Sequence, residues 1–355
     1  MLKFLSILSL FVLFSCQQNK EKTCCEETVI DSIQVSIDYA SNFDLLKTES
    51  GYSLSIISPE NGEIEKTIEI VPSKKHKIIS LTSTLNGMIS ILHEQKQLVG
   101  ISNIDFVYDP TITDLYSKNE IIPFGDETAL SLEKIISTKA DIIFYSGFGE
   151  NFPHQEKLEK LGVTIIPIYD WRENHPLGKA EWIKLIGVIT DTEADAFTYF
   201  EEITLEYEAL IEKVNQTKTA PTVLAGSMIG DIWYAPGGES YFAQILSDAK
   251  ANYRYADSKG TASLQFSIEQ ILKDNEKTNF WVNPGLSTKT KIISAHPKVK
   301  FLPAFNTNTF CYSSRQSKFW EQSAAMPHLL LKDFTHIFHP ELELEDELYF
   351  YQKVD

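Results

Sequence analysis

"EADAFTYFEEITLEYEALIEKVNQ", residues 193–216, sets Phe197, Phe200, Ile203, Tyr207, Leu210 and Val214 at spacings of three and four. That rhythm lines one face of an α-helix, and glutamates fill the other. At 1.5 Å per residue the helix runs about 36 Å. The pattern on either side is different. From Ile78 the chain reads "KIISL" as strand, "TLNGMISILHEQ" as helix, "LVGIS" as strand, "LSLEKIIST" as helix, "DIIFYS" as strand, "HQEKLEKLG" as helix and "VTIIPIYD" as strand. Alternation of helices with near-continuous apolar strands predicts parallel sheets covered on both faces. After residue 216 it resumes: "APTVLAGSM" strand, "SYFAQILSDA" and "SIEQILKD" helices, "FWVNP" and "VKFLPAF" strands, then a helical tail, "MPHLLLKDFTHIF".

The expected fold is therefore α/β: two Rossmann-like lobes with mostly parallel sheets, residues 31–178 and 217–355, joined by a connecting helical segment over 179–216 that contains one long rigid helix. At the start of the first, residues 33–72 alternate in short bursts ("QVSIDYA", "GYSLSIISP", "IEKTIEIVP") punctuated by Glu-Ser-Gly and Glu-Asn-Gly. These predict an N-terminal extension of antiparallel β-hairpins. About 325 residues beyond residue 30 exceed what one core usually serves, which also favours two lobes.

One helix–strand piece occurs twice. "SLEKIISTKADIIFYSG" (131–147) and "SIEQILKDNEKTNFWVN" (267–283) share Ser-aliphatic-Glu-polar-Ile-aliphatic before an apolar run. In each, Ser131 or Ser267 is placed to cap a helix, with Glu133 or Glu269 in the first turn, where the helix dipole favours a carboxylate.

The N-terminus reads as a cleaved leader over residues 1–15: Lys3, then an apolar and serine run from Phe4 to Phe14 too short to span a bilayer. It closes on "LFSC", which resembles a bacterial lipobox and implies cleavage before Cys16 and lipidation of that cysteine. Residues 16–30 are polar and aperiodic, a solvated tether. Cys24 and Cys25 are adjacent, without metal-type spacing, and Cys311 alone falls in the folded part, so no disulfide framework is expected. Loss of the leader carries the net charge from −17 to −18. Such an excess repels nucleic acid and anionic membrane, leaving a lipid as the membrane attachment.

No nucleophile elbow, Walker loop or dinucleotide fingerprint occurs; "GFGENF" at 147–152 lacks the final glycine. The pair His336 and His339 has no third ligand nearby in sequence. An enzyme, specifically a secreted hydrolase, is the alternative from another class. Aromatic residues instead gather where strands end: Tyr108, Tyr145, Phe148, Trp171 beside Arg172, then Trp233, Tyr234, Tyr241, Tyr312, Arg315 and Trp320. Carboxyl ends of sheet strands are where α/β folds place ligand crevices. Flat aromatics with one or two arginines suit a bulky, partly apolar ligand bearing negative groups. The plain alternative for each is core packing. The ligand candidates are Tyr108, Tyr145, Phe148, Trp171, Arg172, Trp233, Tyr234 and Arg315, with no catalytic residue, no bound metal site and no cofactor.

"IISLTST" followed by "LVGIS", "LSLEKIISTKADIIF", "LEKLGVTIIPI" and "GGESYFAQILSDAKA" together resemble the substrate-binding proteins of iron-siderophore and cobalamin ABC importers, whose lobes are bridged by one long helix. "WRENHPLGKAEWIKLIG" (171–187) resembles a lipoprotein branch of them. Many members carry a Glu after the first strand, where this chain has Asn86 and Gly87. The resemblance implies a monomeric, lipid-anchored protein of the bacterial envelope, facing the periplasm or the cell surface. It would capture a ferric-siderophore-type complex, or else a corrinoid or haem, and deliver it to a permease and its ATPase. It further implies that Glu133 and Glu269, one per lobe, dock onto the permease.

Overall fold

The computed structural model describes residues 33–148, 152–312, 318–344 and 347–355; the leader, Cys16, the tether and Arg315 lie outside them. The N-terminal lobe is a five-stranded, all-parallel sheet. Its strands are β5 (Ile78–Ser80), β6 (Leu98–Ile101), β7 (Ile122–Pro123), β8 (Ile142–Tyr145) and β9 (Thr164–Pro167), in spatial order β7-β6-β5-β8-β9. That order, reversing at β5, is the doubly wound arrangement whose crevice opens at the strands' carboxyl ends. The strands are buried almost throughout, because helices α1 (Ser83–Ile91), α2 (Pro110–Ser117), α3 (Leu132–Thr138) and α4 (Gln155–Lys160) come between them in the chain.

Two antiparallel-packed helices connect the lobes. The second, α6 (Glu193–Asn215), is the 23-residue amphipathic helix, burying Phe200, Ile203, Tyr207 and Val214. The first, α5 (Pro176–Thr190), is buried at every position. It shows no one-sided periodicity because it has no solvent face. The turn between them passes through Asp191, in the left-handed region at φ 60°.

The C-terminal lobe carries β10 (Thr222–Ala225), β13 (Asn252–Tyr253), β15 (Phe280–Val282), β16 (Thr309–Tyr312) and β17 (Tyr351–Lys353), in the order β13-β10-β15-β16-β17, with only β17 antiparallel. Helices α7 (Tyr241–Asp248) and α8 (Ile268–Asp274) accompany it, and β11 (Ser227–Ile229), β12 (Ile232–Ala235) and β14 (Leu264–Phe266) form a small antiparallel sheet. One expected strand is wrong: "VKFLPAF" falls in two 3-10 turns, Pro297–Phe301 and Pro303–Asn306. Pro303 has no N–H for a ladder, and the strand beside β15 is "TFCY", β16. Helix Pro327–Phe338 packs back on α6. Its Asp333 accepts the backbone N–H groups of Tyr349, Phe350 and Tyr351 at 2.7, 2.7 and 2.9 Å, fixing the final strand.

The N-terminal extension is a four-stranded antiparallel sheet, β1 (Ile33–Gln34), β2 (Phe43–Thr48), β3 (Gly51–Ile57) and β4 (Ile64–Ile70), in sequential order. "QVSIDYA" continues beyond β1 as an irregular arm. Two buried carboxylates on or beside α5 hold that arm by its amides. Glu181 accepts from Asp38, Tyr39 and Ala40, and Glu173 from Ser41 and Asn42. Lys184 completes the set, its Nζ 2.6 Å from Glu181 and 2.9 Å from the Ser36 carbonyl.

Candidate functional site

The loops leaving the carboxyl ends of both sheets face each other across a cleft. From the N-terminal lobe come Thr82–Thr84 after β5, Ser146 and Phe148 after β8, and Asp170 and Trp171 after β9; from the C-terminal lobe come Gly226 after β10, Asn283 after β15 and Tyr312 at the end of β16. One chamber of about 470 Å3 is walled by Phe148 and Trp171 on one side and by Tyr234, Tyr241, Tyr312 and Trp320 on the other. A second, of about 380 Å3, shares Phe148, Trp171 and Trp320 and reaches Phe106, Asp170 and Lys179. A third, of about 370 Å3, shares Asn283, Tyr312 and Trp320 and is lined further by Lys291 and Cys311. Together these volumes match a ligand pocket of ordinary to large size.

Trp171 is held firmly. Its indole N–H donates to the Ser146 carbonyl at 2.7 Å, and its ring stacks on Phe148 with centroids 4.2 Å apart and planes 11° from parallel. Phe148 is nonetheless 66% exposed and Trp320 45% exposed. Large apolar faces left open inside a concavity are available to a ligand. Tyr312 stacks on Phe319 at 3.8 Å, and burial pushes its phenol well above the ordinary value. At the floor, Lys179 Nζ lies 3.2 Å from Asp170 Oδ2 and 4.7 Å from the centre of the Tyr241 ring. Burial alone would pull the Lys179 ammonium down, but Asp170 and Tyr241 overcome it and the net shift is upward, so the lysine stays charged. The contact ties the N-terminal lobe, α5 and the C-terminal lobe together beneath the ligand space.

Three of the expected ligand residues, Phe148, Trp171 and Tyr234, line the cleft together, as do Tyr241, Tyr312 and Trp320. Four do not. Trp233 is fully buried, donates its indole N–H to the Ala225 carbonyl and packs on Trp281 at 5.4 Å; alternation along β12 turns Tyr234 to the cleft and Trp233 to the core. Tyr145 packs on Phe152 at 4.9 Å within a separate cluster. Arg172 turns away to Glu60, at 2.8 Å. Tyr108 lies at a contact between lobes, where its amide and that of Asp109 donate to Glu321. Asp170 and Lys179 were missed by reading the sequence. The motif spacing of nine residues joins a loop to the next helix, a relation no local period displays.

Glu133 and Glu269 are both exposed, each just after its capping serine: Ser131 accepts from Lys134 N–H at 3.4 Å and Ser267 from Gln270 N–H at 3.2 Å. The two helices occupy equivalent places, α3 leading into β8 beside β5 and α8 leading into β15 beside β10. Glu269 pairs with Lys298 at 2.5 Å across an exposed surface. His339 is the buried C-cap of helix Pro327–Phe338, its Nε2 2.9 Å from the Ala249 carbonyl.

The chain belongs to the periplasmic binding protein family, whose model matches residues 78–313. With two α/β lobes bridged by a long helix, it is a substrate-binding protein of the ABC-importer class and not an enzyme. An uncharacterized lipoprotein of Methanocaldococcus jannaschii is 24% identical over 335 residues, 90% of this chain and 78% of the relative. A possible iron-binding (periplasmic solute-binding) protein from Staphylococcus epidermidis superposes with a TM-score of 0.60 at 22% identity, over 75% of this chain and 100% of the other. The periplasmic haem-binding protein of Vibrio cholerae gives 0.61 at 17%, again over 75% and 100%. Among the described residues no helix is long and apolar enough to cross a membrane.

Proposed function

We propose that this protein captures a ferric-siderophore-type iron complex in the inter-lobe cleft and delivers it to an ABC permease, and that a lipid on Cys16 anchors it to the bacterial envelope. The observation carrying this reading is the wall of opposed aromatic faces, Phe148 and Trp171 against Tyr234, Tyr312 and Trp320, with one ion pair beneath it. Aromatic planes grip the flat ligand groups of a chelate whose metal is already coordinated, and need supply no ligand to the metal. Haem or a corrinoid is the second reading, favoured by the resemblance of the fold. Haem binding asks for an axial ligand; the cleft's described lining offers no histidine or methionine, and burial pushes the Cys311 thiol up, away from the ligating thiolate. Its buried phenol Tyr312 resists ionisation.

Protein purified from its native host identifies the cargo by visible spectrum and ligand mass. A broad iron charge-transfer band with an organic chelator is expected; a Soret band or corrin bands would replace the first reading with the second. Trp171→Ala together with Trp320→Ala should weaken binding of that cargo more than tenfold, about 1.4 kcal/mol. Trp233→Ala should instead lower stability by about 3–5 kcal/mol through a core cavity. Unchanged affinity in the double variant would put the ligand elsewhere.

A further inference from the structure

The N-terminal sheet lies outside the segment that matches the family, yet it grips the cleft wall. We propose that this sheet is a positioning element for ligand binding, orienting Trp171 through the residues on either side of it; the proposal rests on the cleft being the ligand site.

The loop between β9 and α5 divides its side chains between the cleft and the sheet. Asp170 and Trp171 face the cleft. Tyr169 points to β4, where its hydroxyl donates to Glu65 at 2.8 Å, and Arg172 points to the β3–β4 turn, where it meets Glu60 at 2.8 Å. Glu173 then clamps the arm of the same sheet. The loop is thus fastened to the extension just before and just after the pair it presents inward.

Both partners of the aromatic stack feel this. The Arg172 guanidinium sits 5.2 Å from the centre of the Trp171 ring. The Tyr169 ring lies so close to Gly147 that a Cβ there would come within 2.3 Å of it, and Gly147 has φ 62°, so that ring fixes the backbone that carries Phe148. The sheet itself cannot drift, because the amides of residues 38–42 are bound by carboxylates buried against α5. An ion pair with one open end, such as Glu60–Arg172, contributes little to stability. Its effect is on direction: it withdraws the guanidinium from the chamber and holds it over one edge of the indole.

The test uses the full mature chain carrying Glu60→Gln, which removes the charge that draws Arg172, or Tyr169→Phe, which removes the hydroxyl bonded to Glu65. The emission of Trp171 in ligand-free protein is isolated by subtracting the spectrum of the same protein with Trp171→Phe. The expected result is a red shift and easier acrylamide quenching of that component in both variants. The melting temperature of Glu60→Gln should stay within about 2 °C of the parent, because the Glu60 end of the pair is exposed. With a ferric tris-catecholate complex, hemin and cyanocobalamin as probes, affinity for the best-bound one should fall about fivefold, a usual coupling between touching side chains. An unchanged Trp171 component in both variants overturns the proposal, as does a lowered melting temperature with no change in that component. If none of the probes binds the parent, the ligand assignment fails while the emission still decides the positioning. If Tyr169→Phe does not fold, Glu60→Gln alone decides it.

Discussion

Asp333 shows how one carboxylate governs a whole terminus. Three successive amides, Tyr349 to Tyr351, converge on it inside the C-terminal lobe. Burial pushes its carboxyl up to about 6 despite the opposing pull of those amides. A raised acid holds its proton in the folded chain over a window, from about 4 in the unfolded state to about 6, where the unfolded chain has lost it. Stability from this group is therefore full below pH about 4 and is lost as pH rises through 6. Asp333→Asn cannot titrate, so the stability of the parent minus that of the variant should be greater at pH 4.5 than at pH 7 by about 2 kcal/mol, read from denaturant titrations. A difference independent of pH would refute it. At this scale the sequence was legible where a residue acts on its immediate neighbours. Ser131 and Ser267 were recognisable as caps because the cap bond spans three residues. Trp171 and Trp233 were indistinguishable, since each abuts a turn, and only the packing of the loop after β9 and of strand β12 decides that one faces ligand and the other core.

Among elements, the contact between α1 and the short helix Phe319–Gln322 matters most to the cleft, because Trp320 stands on the latter. Gly87 of α1 makes that contact. A Cβ on it would come 1.7 Å from the Glu321 carbonyl oxygen. The buried Glu321 carboxylate meanwhile binds the Tyr108 and Asp109 amides of the N-terminal lobe. Gly87→Ala would ordinarily stabilise a helix by about 1 kcal/mol. Here it should destabilise by about 1–3 kcal/mol through overpacking and shift the Trp320 emission as the short helix is pushed off. A thermal melt that rises, or an emission that stays put, would show the contact to be loose. Element types were read well where periodicity was one-sided, as in α6. Helix α5 lost its period by being buried all round, and "VKFLPAF" carried a strand's composition into 3-10 turns, with Pro303 the one signal against it.

On the scale of the whole molecule, the two lobes repeat one plan, and the repeated "S-x-E-x-I" segments are its trace. Each puts an exposed glutamate in the first turn of the helix that precedes the sheet's next strand. Carboxylates so placed on both lobes of one body can orient it over a two-fold permease and steer its approach. Changing both Glu133 and Glu269 to lysine should abolish uptake of the cargo by cells, while the purified variant keeps its ligand affinity and melts within about 3 °C of the parent, since the serine caps remain. Normal uptake would return both glutamates to helix-end electrostatics. The sequence by itself determined the two α/β halves, the long helix between them, the hairpin extension and the repeated capped helices. All of these are written in spacings of two to four residues, which the backbone reads locally. Only the tertiary structure decided which aromatics share the cleft, that Asp170 and Lys179 meet at its floor, and that Glu173 and Glu181 bind an arm more than 130 residues away. Those relations depend on which faces two sheets turn toward each other, and that is settled by burial summed over the whole chain rather than by any short run of residues.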